Sequence, residues 1–235
     1  MTYATILKQK FAEIVNLASE LNRFWWEHDF RGTPDVAKHG EMLRLWGGLE
    51  DHIKLMGAPV GLCEGNLERI IDPGQTGRAF DSWECSKVHG WVSNLPSTTG
   101  RKVVIVDRSR IVDGLASEFM SHSGSTVVLL PDVVRALKVD GHYPFTTPLM
   151  DWVSTGKLLT GLELSTEVTV LAVTDETPAS TLSWLHPNVA EDLFITQVLR
   201  LWRENPDWEL SIDTNDPLVA LKAQRAWIPL WSGGS

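Results

Sequence analysis

Four consecutive β-branched residues, Val103, Val104, Ile105 and Val106, followed at once by Asp107, constrain this chain more than any other feature. An apolar run with no polar alternation reads as a strand buried on both faces, the pattern of a parallel sheet covered by helices. In an open parallel sheet the ligand crevice lies beyond the carboxyl ends of the strands, so Asp107 stands where chemistry is usually done.

Downstream of that run the order is regular. A helix around Ile111 to Ser121 follows Asp107-Arg108-Ser109, and Gly124 and Ser125 turn the chain into a second strand, Thr126 to Leu130. Pro131 opens a helix over Asp132 to Leu137, and a proline-bearing loop runs from His142 to Thr147. A helix around Leu149 to Leu159 precedes a strand from Val168 to Val173. Asn188 is placed to cap a helix from Val189 to Arg203, which Asn205-Pro206 stops. Trp208 to Ile212 then reads as a strand, Pro217 to Arg225 as a helix and Trp227 to Trp231 as a last short strand. Strands alternating with helices predict an α/β fold, a parallel sheet with helices on both faces.

The first hundred residues have a different pattern. Leu7, Phe11, Ile14, Ala18, Leu21 and Trp25 recur at spacings of four and three, one stripe of an amphipathic helix over Tyr3 to His28. Thr33-Pro34 has the form of an N-cap followed by proline, and Met42, Trp46, Leu49, Ile53 and Met56 form a second stripe. These predict a helical hairpin, then an irregular segment from Gly57 with short helices and turns. The linker is expected at Asn94 to Gly100. The division is therefore an α-helical N-terminal region over 1–99, an α/β domain over 100–231 and a Ser-Gly-Gly-Ser tail over 232–235.

Composition excludes several function classes. No apolar run reaches the roughly 18 residues of a membrane span, and no basic segment followed by an apolar one opens the chain, so a cytoplasmic protein without membrane contact is expected. Cys63 and Cys85 are too few for a disulfide framework and are expected as buried thiols. His39 and His52 lack ligand partners at helical spacing, the acid-His-acid run at Glu27-His28-Asp29 places neighbours that do not face one another, and no zinc site is visible. A net charge of -9 excludes coating of nucleic acid by bulk electrostatics, but not a nuclease whose carboxylates hold an ion. The 11 tryptophans point to packing surfaces or a partner interface.

Acids fall at the start of successive elements of the expected crevice: Asp107, Asp192 and Asp216. Together, Val-Val-Ile-Val-Asp107-Arg-Ser109, Val-Val-Leu-Leu-Pro131-Asp-Val-Val-Arg-Ala-Leu, Asp192-Leu-Phe-Ile, and Ile-Asp-Thr214-Asn215-Asp216 leading through Lys222-Ala223 resemble a PIN domain over roughly Arg101 to Trp231. The resemblance implies a PIN-like nuclease domain, a metal-dependent endoribonuclease cleaving single-stranded RNA. Asp107, Asp192 and Asp216 would hold Mg²⁺ or Mn²⁺, with Ser109 and Thr214 supporting them by hydrogen bonds. Arg108 and Arg110 flank the first acid and could meet RNA phosphates. An ion held by a few carboxylates activates water and stabilises the leaving oxygen, and magnesium needs no dense ligand motif.

One position departs from the family pattern. Where PIN domains carry a glutamate after the second strand, this chain has Ala136. Asp132, Asp140, Glu191 or Asp213 are candidates to compensate. The alternative is a catalytically weakened PIN domain that serves as a binding or scaffold protein. Each acid also has a plain structural reading: a turn at Asp107, a helix-start charge at Asp192 and an N-cap at Asp216. A crevice for a small phosphorylated ligand is disfavoured by the lack of a glycine-rich turn. The N-terminal helices are expected to serve a protein partner, self-association or substrate choice. Toxin, defence nuclease and RNA-processing factor all stay open.

Overall fold

The computed structural model describes residues 1–28, 35–56, 86–96, 100–111, 122, 124–131, 133, 162–165, 168–172 and 182–232. Cys63, Cys85, Asp132, Ala136, Asp140, the expected cap Thr33-Pro34 and the expected helix around Leu149 to Leu159 lie outside them. The chain divides into two units: residues 4–97, and residues 98–235 together with Met1 to Tyr3.

In the first unit, α1 (Tyr3–Glu27) buries Leu7, Phe11, Ile14, Ala18 and Leu21, the stripe expected from their spacing. Helix α2 (Val36–Leu55) buries Met42, Trp46, Leu49 and Ile53 in the same way. Its cap is Asp35, whose carboxylate accepts from the N–H groups of Ala37 and Lys38 at 3.0 and 3.1 Å. An acid satisfies two orphan donors and also faces the positive end of the helix. The Lys38 ammonium lies 2.6 Å from Glu20 and ties the start of α2 to the later part of α1. Within the same unit, α3 (Ser86–Ser93) leads to Leu95, whose carbonyl accepts from Lys8 Nζ at 2.8 Å.

The second unit is α/β. Its five strands are β1 (Lys102–Val106), β2 (Thr126–Leu129), β3 (Leu162–Ser165), β4 (Val168–Ala172) and β5 (Glu209–Asp213), in the order β3-β4-β2-β1-β5. Strands β4, β2, β1 and β5 run parallel, with Val104 opposite Val127 on one side and Ser211 on the other. Strand β3 is antiparallel to β4, so the sheet is mixed rather than purely parallel. Val103, Val104, Ile105 and Val106 are each 0 or 1% exposed, which is what burial of both faces of a central strand requires.

Three helices of this unit bear on the site. Helix α4 (Arg108–Ile111) follows β1 directly, α5 (Ala190–Glu204) precedes β5, and α6 (Pro217–Arg225) follows it. Helix α5 turns Phe194, Ile195, Val198, Leu199 and Trp202 inward, and the Trp202 ring stacks on Tyr3 at 4.8 Å.

The start of α5 and the stretch after α6 differ from expectation. Helix α5 is capped by Val189, which makes no side-chain cap bond, rather than by Asn188. Its first turn instead carries Glu191 and Asp192, whose charge answers the exposed N–H groups. After α6, Trp227 adopts φ 58°, with its N–H bonded to Gln224 and that of Ile228 bonded to Ala223. This is a Schellman ending with tryptophan where glycine is usual. Only a single parallel bridge, Ile212 to Leu230, remains of the expected final strand.

Gly100 is where the chain enters β1. Its N–H donates to the Asp207 carbonyl at 2.7 Å, and a Cβ there would lie 2.6 Å from that oxygen. The close approach excludes any side chain. Among the described residues, no helix is long and apolar enough to cross a membrane.

Candidate functional site at the ends of β1 and β5

The chain leaves β1 toward β2 on one side and reaches β5 on the other only after β4, so connections diverge at β1 and β5. Such a switch point opens a crevice at the carboxyl ends of the two strands. Asp107 and the segment Asp213 to Asp216 stand there.

Asp107 is 6% exposed and its N–H donates to the Asp213 carbonyl at 2.9 Å, extending the β1–β5 ladder one step past the strands. Its Oδ2 accepts from Ser109 Oγ and Thr214 Oγ1, both at 2.7 Å. Its Oδ1 accepts from the Arg108 N–H at 2.7 Å. The two hydroxyls lie 3.3 Å apart, Asn215 N–H donates to Ser109 Oγ, and Asp216 N–H donates to Thr214 Oγ1 at 2.9 Å. One carboxylate thus locks the turn after β1 to the turn after β5. Donors from both turns fix the orientation of the carboxylate.

Asp216 Oδ1 accepts from Leu218 and Val219 and caps α6, with Pro217 in the first helical position. The cap leaves Oδ2 without a helix donor to accept. Asp213, 6% exposed, is engaged from two sides: Oδ2 accepts from His122 Nε2 at 2.8 Å, and Oδ1 forms an ion pair with Arg110 Nε at 3.0 Å. A carboxylate only accepts, so Nε2 is the donor in this contact. Arg110 also donates to Asn215 Oδ1 at 3.0 Å. Its guanidinium is therefore turned onto the protein rather than outward, whereas Arg108 is exposed.

Asp192 sits in a separate network. It is 4% exposed, with Oδ1 2.6 Å from Lys222 Nζ and Oδ2 accepting from the His186 N–H at 3.0 Å. Burial alone pushes this carboxyl up, but the Lys222 hydrogen bond, the His186 N–H and the neighbouring positive charge outweigh it and hold the group below the usual carboxylate range. Glu191 Oε2 lies 4.0 Å from the same ammonium.

Among the sequence candidates, Asp107, Ser109, Arg110, Asp213 and Thr214 form one connected group, and Asp216 joins it through its backbone. Asp192 has Lys222 as its partner instead. The pairings of His122 and Lys222 are not visible in the sequence: they lie 91 residues from Asp213 and 30 residues from Asp192, and no local pattern marks either.

The donors at the crevice are carboxylate and hydroxyl oxygens, which suit a hard divalent ion. Among the described residues, no three acid, His or Cys side chains form a group that could hold a metal together. An ion of the magnesium type keeps several waters and needs only one or two carboxylates. Asp107 and Asp216 are the side chains that would hold it.

Fold and site define an α/β unit with a hydrogen-bonded carboxylate at its switch point. Comparison with protein-family models, with curated proteins and with solved structures gives no match for this chain.

Proposed function

We propose that the C-terminal unit is a PIN-type endoribonuclease, cleaving single-stranded RNA with Mg²⁺ or Mn²⁺ held at Asp107 and Asp216. The observation that carries this reading is the Asp107 carboxylate at the end of β1, oriented by Ser109 and Thr214 hydroxyls from the two turns that frame the crevice. When bound, the ion supplies an activated water and stabilises the leaving oxygen. The chain's own part is orientation. Ser109 and Thr214 hold Asp107 in place, Asp213 binds Arg110 and His122, and the exposed Arg108 is the candidate contact for a phosphate.

The test is cleavage of a labelled single-stranded RNA with Mn²⁺ or Mg²⁺, in the chain as it stands and with Ala136→Glu. Cleavage that stops with EDTA and with Asp107→Asn supports the reading. Full activity in Asp107→Asn contradicts it.

A second reading is a weakened domain of the same type acting as a binding or scaffold protein. Ala136 in place of the usual acid and the pairing of Asp192 with Lys222 favour it. Tight metal binding at the crevice in a calorimetric titration would count against it. Under both readings, the N-terminal helices are assigned to a protein partner or to self-association.

A further inference from the structure

Helix α6 turns leucines outward. Leu218 is 54% exposed and Leu221 64%, so two of the five large apolar side chains exposed among the described residues fall on this one short helix. Its inner face is supplied by Val219 and Ala223, which are buried. Residues three and seven apart share a helix face, which puts Arg225 beside Leu218 and Leu221. The Arg225 guanidinium lies over the Trp184 ring, 4.3 Å from its centre. Stacking occupies the flat of the guanidinium and leaves its N–H edge for an acceptor. At the other end of the helix, Asp216 caps the first turn through Oδ1 alone.

We propose that this face is where two copies of the chain associate, α6 lying antiparallel against α6 about a two-fold axis. A two-fold interface requires one surface to match itself. The series Asp216, Leu218, Leu221, Arg225 does so. Leu218 and Leu221 are centred between residues 219 and 220, and Asp216 and Arg225 between 220 and 221. One axis near Ala220 therefore serves both pairs: Leu218 meets Leu221 of the second copy, and Asp216 meets Arg225. Within one chain the acid and the arginine stand at opposite ends of α6, about 13 Å apart along its axis, so their charges are answered only between copies. An anionic partner would gain from Arg225 and be repelled by Asp216, whereas a second copy satisfies both. The association is independent of whether the crevice takes a metal. It brings Arg225 of each copy to the mouth of the other's crevice, where Asp216 stands.

Sedimentation velocity on the full chain, over a concentration series reaching about 500 µM, tests this in the range where small interfaces bind. The fraction of dimer should rise with concentration. Leu221→Glu puts a charge at the centre of the face and should raise the dissociation constant about thirtyfold or more, the effect of losing an interface anchor. Leu218→Glu is an independent second variant with the same expected result. Both positions are exposed, so either chain should melt as the parent does. Asp216→Asn keeps a capping side chain and Arg225→Gln keeps a polar one, and each should weaken association about two- to fivefold, as loss of an exposed ion pair does. The double variant should be no weaker than either alone, because both changes remove the same pair. A parent chain that sediments as a monomer throughout contradicts the proposal. So does a dimer that survives both leucine variants, which is then held elsewhere, and so does additive weakening by Asp216→Asn and Arg225→Gln.

Discussion

Thr214 Oγ1 lies 2.7 Å from Asp107 Oδ2, and this hydrogen bond joins the turn after β5 to the turn after β1 across the mouth of the crevice. The same hydroxyl accepts from the Asp216 N–H. Thr214→Val keeps the shape and removes both bonds. Loss of a hydrogen bond to a charged group should cost about 1.5–3 kcal/mol, read as a lower urea midpoint with an unchanged slope. An unaltered midpoint would show that the two turns are held by other means.

Asp213 joins residues from three parts of the chain: its carboxylate meets His122 and Arg110, and its carbonyl accepts from Asp107. Asp213→Ala takes one acceptor from the buried His122 imidazole and one from the partly exposed Arg110 guanidinium, which keeps Asn215. Loss of a hydrogen bond to a charged group costs about 1.5–3 kcal/mol, so equilibrium denaturation should show a loss of that order. Asp213→Asn should lose less, because the amide oxygen still accepts from one of them.

Acid stability should depend on Asp192. Its carboxyl is held below the ordinary value, so the folded state binds that proton less readily than the unfolded chain. Its contribution is therefore complete above the unfolded carboxylate pKa of about 3.9 and disappears as pH falls through the lower folded value. Stability measured against pH should show Asp192→Asn less stable than the parent near neutrality. The gap should close only below about pH 4. A gap independent of pH would contradict the assignment.

Gly100 should not tolerate a methyl group. A Cβ there meets the Asp207 carbonyl and carboxylate oxygens at 2.6 Å, inside any real contact distance. Gly100→Ala must move the backbone where it enters β1, at about 1–3 kcal/mol. A thermal melt of the variant should fall accordingly. An unchanged melt would mean that the β1 entry is loosely held.

The parts of this structure legible in the sequence are those specified by burial or by local chemistry. Val103 to Val106 announced a central strand because both its faces are covered, and Asp216-Pro217 announced α6 because a capping acid and a proline act locally. Strand β3 was not legible: Leu162 to Ser165 offers four residues with no sustained run, and its antiparallel pairing is decided by β4. The end of α6 at Arg225 was legible, but the left-handed Trp227 after it was not, because such a position normally advertises itself with glycine. For the site, acids at element starts could be read in order, and the hydroxyls of Ser109 and Thr214 were expected only through the resemblance to a PIN domain. Which charge pairs with which could not be read. Arg110 has the composition of a phosphate contact yet binds Asp213 and Asn215, and only the packing of α5 beside α6 brings Lys222 to Asp192.

The most direct test of the central claim is a paired cleavage assay on single-stranded RNA in Mn²⁺, comparing Asp107 with Asp107→Asn in the present chain and in Ala136→Glu. The account predicts EDTA-sensitive cleavage with Asp107 in at least one background and none with asparagine in either. Equal cleavage by the asparagine chains would contradict it.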